Sequence, residues 1–188
     1  MYRAQSPPRK YEEYAYVLDF NSRGKSTTVR GRDGIIITSI GEDRLTLLEV
    51  LGVPNSTFEI GEKIYIGKDG RTKVSSVLGK MEYGHISSSA QSELLTVVEN
   101  IVTINEKKFV DYLNNAQPLT PRIHALELIP GIGKTYMKTM LEERENQKFE
   151  SYVDLQERVG FKDPVKHISE RIIDEISGES RMNLFVKR

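Results

Sequence analysis

The chain has 188 residues, 38% of them hydrophobic and 29% charged, with 27 Lys and Arg against 27 Asp and Glu and neither cysteine nor tryptophan. The missing cysteine excludes disulfides, thiolate metal centres, iron–sulfur clusters and cysteine nucleophiles, and the even charge balance excludes a protein that coats nucleic acid with bulk positive charge. No apolar run approaches the roughly 18 residues of a membrane span and no signal or transit peptide is visible, so two small domains, no membrane partner and a cytoplasmic location are expected.

Residues 1–12 open with MYRAQSPPRK, which has two consecutive prolines, three basic groups and little apolar content. A mobile arm is expected there, because such a stretch cannot offset its ordering entropy. From Tyr14 the pattern alternates, placing Tyr14, Tyr16, Leu18 and Phe20 on one face, and apolar runs follow in GIIITSI, RLTLLEVLGV, KIYIG and TKVSSVL. These are strand signals, punctuated by the turn residues of NSRGK, RDG, GED, PNS and KDG. Four to six short strands without an intervening helix favour closure, since open edges invite aggregation; an OB-like or SH3-like barrel over residues 13–86 meets that need.

Within this region NSRGKSTTVRGRDG carries Arg23, Lys25, Arg30 and Arg32 and no acid before Asp33. At a barrel rim such a loop suits nucleic-acid phosphates. Tyr14, Tyr16, Phe20, Tyr65 and Tyr83 are either stacking platforms for bases or core residues.

After SSSAQSE the period changes. Leu94, Leu95, Val98, Ile101 and Val102 form the stripe of an amphipathic helix, and a helical domain is expected over 87–178. A second helix should start at an Asn105 cap and bury Phe109, Val110 and Leu113. Thr120 is then expected to cap another, with Pro121 at its first position.

The stretch LIPGIGKTYMKTM ends its glycine cluster in Gly-Lys-Thr, but Leu128 stands where a P-loop needs glycine, and neither a buried strand before it nor a magnesium-binding Asp after it is present. An NTPase is disfavoured. The same residues suit a helix, a tight hairpin and a helix: Pro130 stops the first, Gly131 and Gly133 allow unusual dihedrals and close approach, Ile132 plugs the angle, and Lys134 opens the second. The N–H groups around Gly131, Ile132, Gly133, Lys134 and Thr135 would form an anion site at the positive end of a helix dipole, with Lys138 one turn further on. The bland alternative is a connector of the same shape.

Leu128 to Lys134 resembles the hairpin of helix-hairpin-helix proteins. That resemblance implies a motif at about 120–145 whose glycine amides hold a backbone phosphate without reading sequence, often with a monovalent cation at the Gly131–Gly133 backbone. Downstream, Ser151 and Asp154 form a capping box, Gly160 ends a helix after Val159, and Asp163 caps a helix beginning at Pro164. This looks like a degenerate second copy at about 150–177, with Phe149, Tyr152, Leu155, Val159, Phe161, Ile168, Ile172 and Ile176 as its core. Gly160, Lys162 and Lys166 would join the same phosphate-binding side. KDPVKHISERI faintly resembles the aspartate segment of endonuclease III-type DNA glycosylases, but the spacing from Lys134 to Asp163 is too long for that motif. His85, His124 and His167 lie too far apart for metal-ligand spacing, and no catalytic centre, metal or cofactor is expected.

Together AYVLDF, FEIGEKIYIGKDGR, KKFVDYLNNAQPLTPRIHALELIPGIGK, FESYVDLQERVGFKDP and NLFVKR resemble an uncharacterised archaeal family, domain of unknown function 655, predicted to bind nucleic acid. The resemblance implies an α+β fold, an N-terminal small OB-like β-barrel followed by an all-α tandem helix-hairpin-helix domain, with 179–188 as an extended segment or strand returning to the body. The expected function is non-enzymatic, sequence-independent binding of structured RNA, ahead of DNA, in translation or RNA processing and within a ribonucleoprotein or repair complex. The rival expectation is a protein-interaction adaptor, which zero net charge and acidic stretches such as LEEREN support.

Overall fold

A computed structural model describes residues 11–188; the first ten residues of the expected arm lie outside the described residues. The chain forms two compact units, one running up to Gln91 and including Val186–Arg188, the other Ser92–Phe185.

In the first unit β1 (Tyr14–Lys25), β2 (Asp33–Gly41), β3 (Leu47–Gly52), β4 (Lys63–Tyr65) and β5 (Val74–Lys80) form one antiparallel sheet in the order β4-β1-β2-β3-β5. It curls into a half-barrel around Ala15, Val17, Ile37, Val50, Phe58 and Ile64, each worth roughly 1.5–3 kcal/mol when a large aliphatic or aromatic side chain is fully buried. Closure fails between β4 and β5, which share no backbone ladder. β4 has three residues, too few for a second ladder, and Arg71 bridges the seam instead. Its guanidinium donates to the carbonyls of Gly67 at 2.6 Å, Ile66 at 3.0 Å and Ser75 at 3.3 Å. Side-chain donors thus cover edge carbonyls that would otherwise template another strand.

The face expected to carry Tyr14, Tyr16, Leu18 and Phe20 is also corrected. Ala15 and Val17, the alternate set, line the half-barrel core, while Tyr16 and Leu18 are buried and Tyr14 and Phe20 exposed. Both faces of this segment are apolar, so alternation alone could not orient it, and a register shift between Val17 and Asp19 breaks the phase. Glu12, expected in the arm, is buried; its carboxylate accepts from the amides of Asp43 at 2.9 Å and Arg44 at 2.6 Å. Gly41 is required beside it, because a Cβ there would come within 2.2 Å of that carboxyl group.

The second unit takes in most of α1 (Ser88–Ile104), then α2 (Glu106–Asn115), β6 (Pro118–Thr120), β7 (Ile123–His124), a 3-10 helix (Ala125–Leu128), α3 (Lys134–Asn146), α4 (Tyr152–Val159) and α5 (Pro164–Ser177). It is therefore not all-α. The helix expected from Thr120 is replaced by a two-stranded hairpin, because the Thr120 hydroxyl accepts from the amides of Arg122 at 3.3 Å and Ile123 at 3.0 Å and closes a turn. Thr-Pro satisfies a helix start and a turn equally well. Asn105 precedes α2 but does not cap it, its side chain donating back to Ile101 O at 3.1 Å. Ser151 accepts from Asp154 N at 3.0 Å, whereas the Asp154 carboxylate takes the Glu150 amide; the expected capping box is half formed.

A buried ion pair organises the end of this unit. Arg171 Nε donates to the fully buried Glu175 at 2.9 Å, and its other nitrogens reach Leu128 O at 3.2 Å, Ser180 Oγ at 2.7 Å and the carbonyl of Met182. Glu175 also accepts from Phe185 N at 2.9 Å. Beyond it the chain returns to the first unit: Lys187 N donates to Arg44 O at 3.0 Å and Thr46 Oγ1 to Lys187 O at 3.2 Å, an extended pairing in which no strand forms. Among the described residues no helix is long and apolar enough to cross a membrane.

Candidate functional site

His124 N-caps the 3-10 helix: its Nδ1 accepts from Leu126 N at 3.1 Å while Glu127 accepts from His124 N at 3.0 Å. The backbone then folds back on itself, with Ile129 N donating to Leu126 O and Ile132 N to Ile129 O. Gly131 has φ +83° and lies against His167 of α5, and Ile132 is buried as the plug. Gly133 is extended, at φ −81° and ψ −179°, with open space where a Cβ would point.

The first amide bond into α3 is Met137 N to Gly133 O at 2.9 Å, and no side chain caps the helix. The first-turn amides of Lys134, Thr135 and Tyr136 therefore lack intrahelical acceptors and stand at the positive end of the dipole. Lys134, Thr135 and Lys138 are exposed.

The second turn repeats this plan. Gly160 adopts φ +79° and closes α4 through Gly160 N to Gln156 O at 2.8 Å, Phe161 is the buried plug, and α5 starts at Pro164 without a side-chain cap. Asp163 precedes α5 in the left-handed region at φ 55°, one residue more than the first turn uses. The two turns meet reciprocally. Tyr136 in the first turn of α3 packs edge-on against Phe161 at 5.6 Å, and Phe161 packs on His167 in the first turn of α5 at 5.0 Å. Two helix starts are thus brought together, with Lys134, Lys138, Lys162 and Lys166 all exposed.

His124 carries a pH signature. Burial, then the positive charge of Arg144, lowers its pKa below the ordinary histidine value, with Glu127 opposing. Its cap needs an unprotonated Nδ1. With the folded pKa below the unfolded one, the stabilisation is fully present above the unfolded value of about 6.5 and is lost as pH falls from there through the folded value. Melting temperature should decline on acidification below about pH 6.5, and His124→Asn, which keeps a capping acceptor, should flatten that decline in a pH series.

In the first unit Arg23, Lys25, Arg30 and Arg32 are all exposed around the β1–β2 loop. Sequence reasoning missed what holds this loop. Glu49, on β3 and 1% exposed, receives the Thr27 amide at 3.1 Å and hydroxyl at 2.8 Å, the Thr28 amide at 3.3 Å and hydroxyl at 2.7 Å, and the Ser26 hydroxyl. Burial pushes its pKa up, but these donors outweigh burial and leave it below the ordinary carboxylate value. Its contribution is present above the unfolded pKa and lost as pH falls through the folded one. Glu49→Gln should cost about 1.5–3 kcal/mol and speed amide exchange at Thr27 and Thr28. The one available signal was a lone acid in the apolar run LTLLEVLGV.

The aromatic candidates form no continuous platform. Tyr16 is core; Tyr14 packs edge-on to Tyr65 at 5.3 Å with Lys63 over its ring at 4.4 Å; Phe20 faces Phe58 at 6.3 Å; Tyr83 is half-buried in a 3-10 turn. Among the described residues no cluster of three or more His, Asp or Glu suits a metal ion.

A family model described as protein of unknown function (DUF655) matches residues 11–187. The uncharacterized protein MJ0038 of Methanocaldococcus jannaschii is 42% identical over 185 residues, spanning 97% of this chain and 83% of that protein. The crystal structure of Af1531 from Archaeoglobus fulgidus, titled family-model DUF655, has a TM-score of 0.82 at 38% identity, covering 94% of this chain and 100% of that one.

Proposed function

We propose that this chain, which belongs to the DUF655 family, is a non-enzymatic nucleic-acid-binding protein that grips backbone phosphates, with structured RNA ahead of DNA as its partner. The observation that carries this reading is the uncapped start of α3 behind Gly131, open at Gly133 and paired with the start of α5. We read the two turns as helix-hairpin-helix motifs, the first with its leading helix reduced to the 3-10 segment. A phosphate at α3 would accept from the first-turn amides, and each charge-assisted hydrogen bond is worth about 1.5–3 kcal/mol. Lys134 and Lys138, then Lys162 and Lys166, add charge. No base edge is required.

The strand order supports an OB-like reading of the first unit, since OB folds are five-stranded, partly open, and bind strands through the β1–β2 and β4–β5 loops. Here the end of β1 and the β1–β2 loop carry the four basic residues, Arg23 and Lys25 on the strand and Arg30 and Arg32 in the loop. Glu49 would hold it in shape for a second phosphate contact.

Fluorescence anisotropy with hairpin RNA, single-stranded RNA and duplex DNA across a salt series tests the proposal. Binding should weaken with salt at a slope of about 0.7–0.9 per phosphate contact, and Lys134→Glu and Gly133→Val should each weaken it tenfold or more. Gly133→Val crowds the amides from an extended position that tolerates a side chain. No binding at low salt, or binding indifferent to both variants, overturns the proposal. The adaptor reading would then lead, on the strength of exposed Leu119 and Ile123 at the β6–β7 hairpin.

A further inference from the structure

The open seam of the half-barrel leads into a cavity of about 500 Å³, within the 300–1,000 Å³ range of small-molecule sites. Its floor is apolar: Leu48 and Ile66 belong to the half-barrel core and Val77 packs against it. The cavity does not await a sixth strand. The carbonyls of Ile66, Gly67 and Ser75 that such a strand would need already accept from Arg71, which closes one part of the seam and leaves a chamber at the other.

The rim is built for something charged. Lys80 at the end of β5 and Lys68 in the β4–β5 loop have no carboxylate partner among the described residues; Lys68 Nζ stands 5.3 Å from the ring centre of Tyr11, which also lines the chamber. Glu12 accepts from the Asp43 and Arg44 amides, and Asp69 and Glu13 on the same lining offer acceptors. Tyr65 supplies an aromatic wall. An apolar ligand would leave the two exposed ammonium groups on the rim unused, and a bare anion would leave the apolar floor unused.

A ligand with a flat apolar body, an anionic group and hydrogen-bond donors satisfies all three. We propose that this chamber binds a nucleoside monophosphate, either free or as the phosphorylated end of a strand. The base lies on Leu48, Ile66 and Val77 beside Tyr65, the phosphate meets Lys68 and Lys80, and Asp69 accepts from a sugar hydroxyl or base amine. The site lies in the first unit and is independent of the α3 turn.

Titrating the full chain with adenosine 5′-monophosphate, while following amide resonances by NMR, tests it. Saturable shifts should appear at Lys68, Val77 and Lys80, with adenosine and inorganic phosphate each binding at least tenfold more weakly. Lys68→Glu/Lys80→Glu and, separately, the chamber-filling Val77→Phe should weaken nucleotide binding at least tenfold while the spectra stay dispersed, and Lys134→Glu should leave it unchanged. A 5′-phosphorylated trinucleotide that displaces the nucleotide, where its dephosphorylated form does not, assigns the strand end as the source; failure of both to displace it assigns the free nucleotide. The proposal is overturned if no saturable shift occurs at millimolar nucleotide, if shifts map to α3 instead, or if the charge-reversed variant binds as well as the parent.

Discussion

Arg171→Ala should destabilise the second unit by about 3–5 kcal/mol, the penalty for leaving a buried charge without its partner. Glu175→Ala should do the same. Domains of this kind are stable by only about 5–15 kcal/mol, so urea midpoints should fall far for either variant. The pair is buried, and Arg171 donates to four acceptors already in place: Glu175, Leu128 O, Ser180 Oγ and Met182 O. Truncation therefore takes the charge partner from a carboxylate that keeps the Phe185 amide, and one donor from each of three further acceptors. An Arg171→Met/Glu175→Leu double variant should lose less than either alanine variant, because it removes both charges and keeps volume. If all three variants unfold alike, packing rather than charge accounts for the site. The same pair touches the carbonyl two residues before Pro130, so Arg171→Ala should also loosen the turn ahead of α3.

Gly131→Ala should be the most damaging change within the turns. The residue sits at φ +83°, which costs an ordinary L-residue roughly 1–2 kcal/mol, and its new Cβ would stand 2.7 Å from the His167 ring, adding about 1–3 kcal/mol of overpacking. Gly160→Ala is the matched control. Its φ is +79°, but nothing lies within 4 Å of the added carbon, so only the backbone penalty applies. Equal urea midpoints for the two variants would show that the Gly131–His167 contact contributes nothing. On the proposed function, Gly131→Ala should also weaken nucleic-acid binding in the anisotropy assay, since the strain falls directly before the α3 amides.

Much of the helical unit could be read in advance because its signals are local. Leu94, Val98, Ile101 and Val102 are buried as their spacing predicts, although Leu95 is exposed; the stripe is narrower than a count of leucines suggests. Phe149, Tyr152, Leu155, Phe161, Ile168 and Ile172 are buried too, and Gly160 and Pro164 stand at the helix ends where their backbone preferences put them. The misreadings have a different origin. Thr120-Pro121 is locally ambiguous, and the turn wins because β6 finds β7. The failure of β4 to meet β5, and Arg71 in its place, depends on partners brought together by the tertiary fold. Glu49 and His124 were illegible for the same reason: a buried acid and a capping imidazole gain their roles only from the amides that the fold turns towards them.

The clasp between Arg44 and the end of the chain gives folding an order. Arg44 and Arg188 are 144 residues apart yet joined by a hydrogen bond of 3.1 Å, so the first unit is discontinuous along the polypeptide. A ribosome delivers all five strands before it delivers this contact. The nascent half-barrel must persist with its β2–β3 turn unclasped while the entire helical unit is made, and non-local contacts of this kind form late. Arg44 and Thr46 also line the cavity. The segment made after the helical unit is therefore felt at the cavity rim, where residues 187 and 188 fasten a wall built well before them.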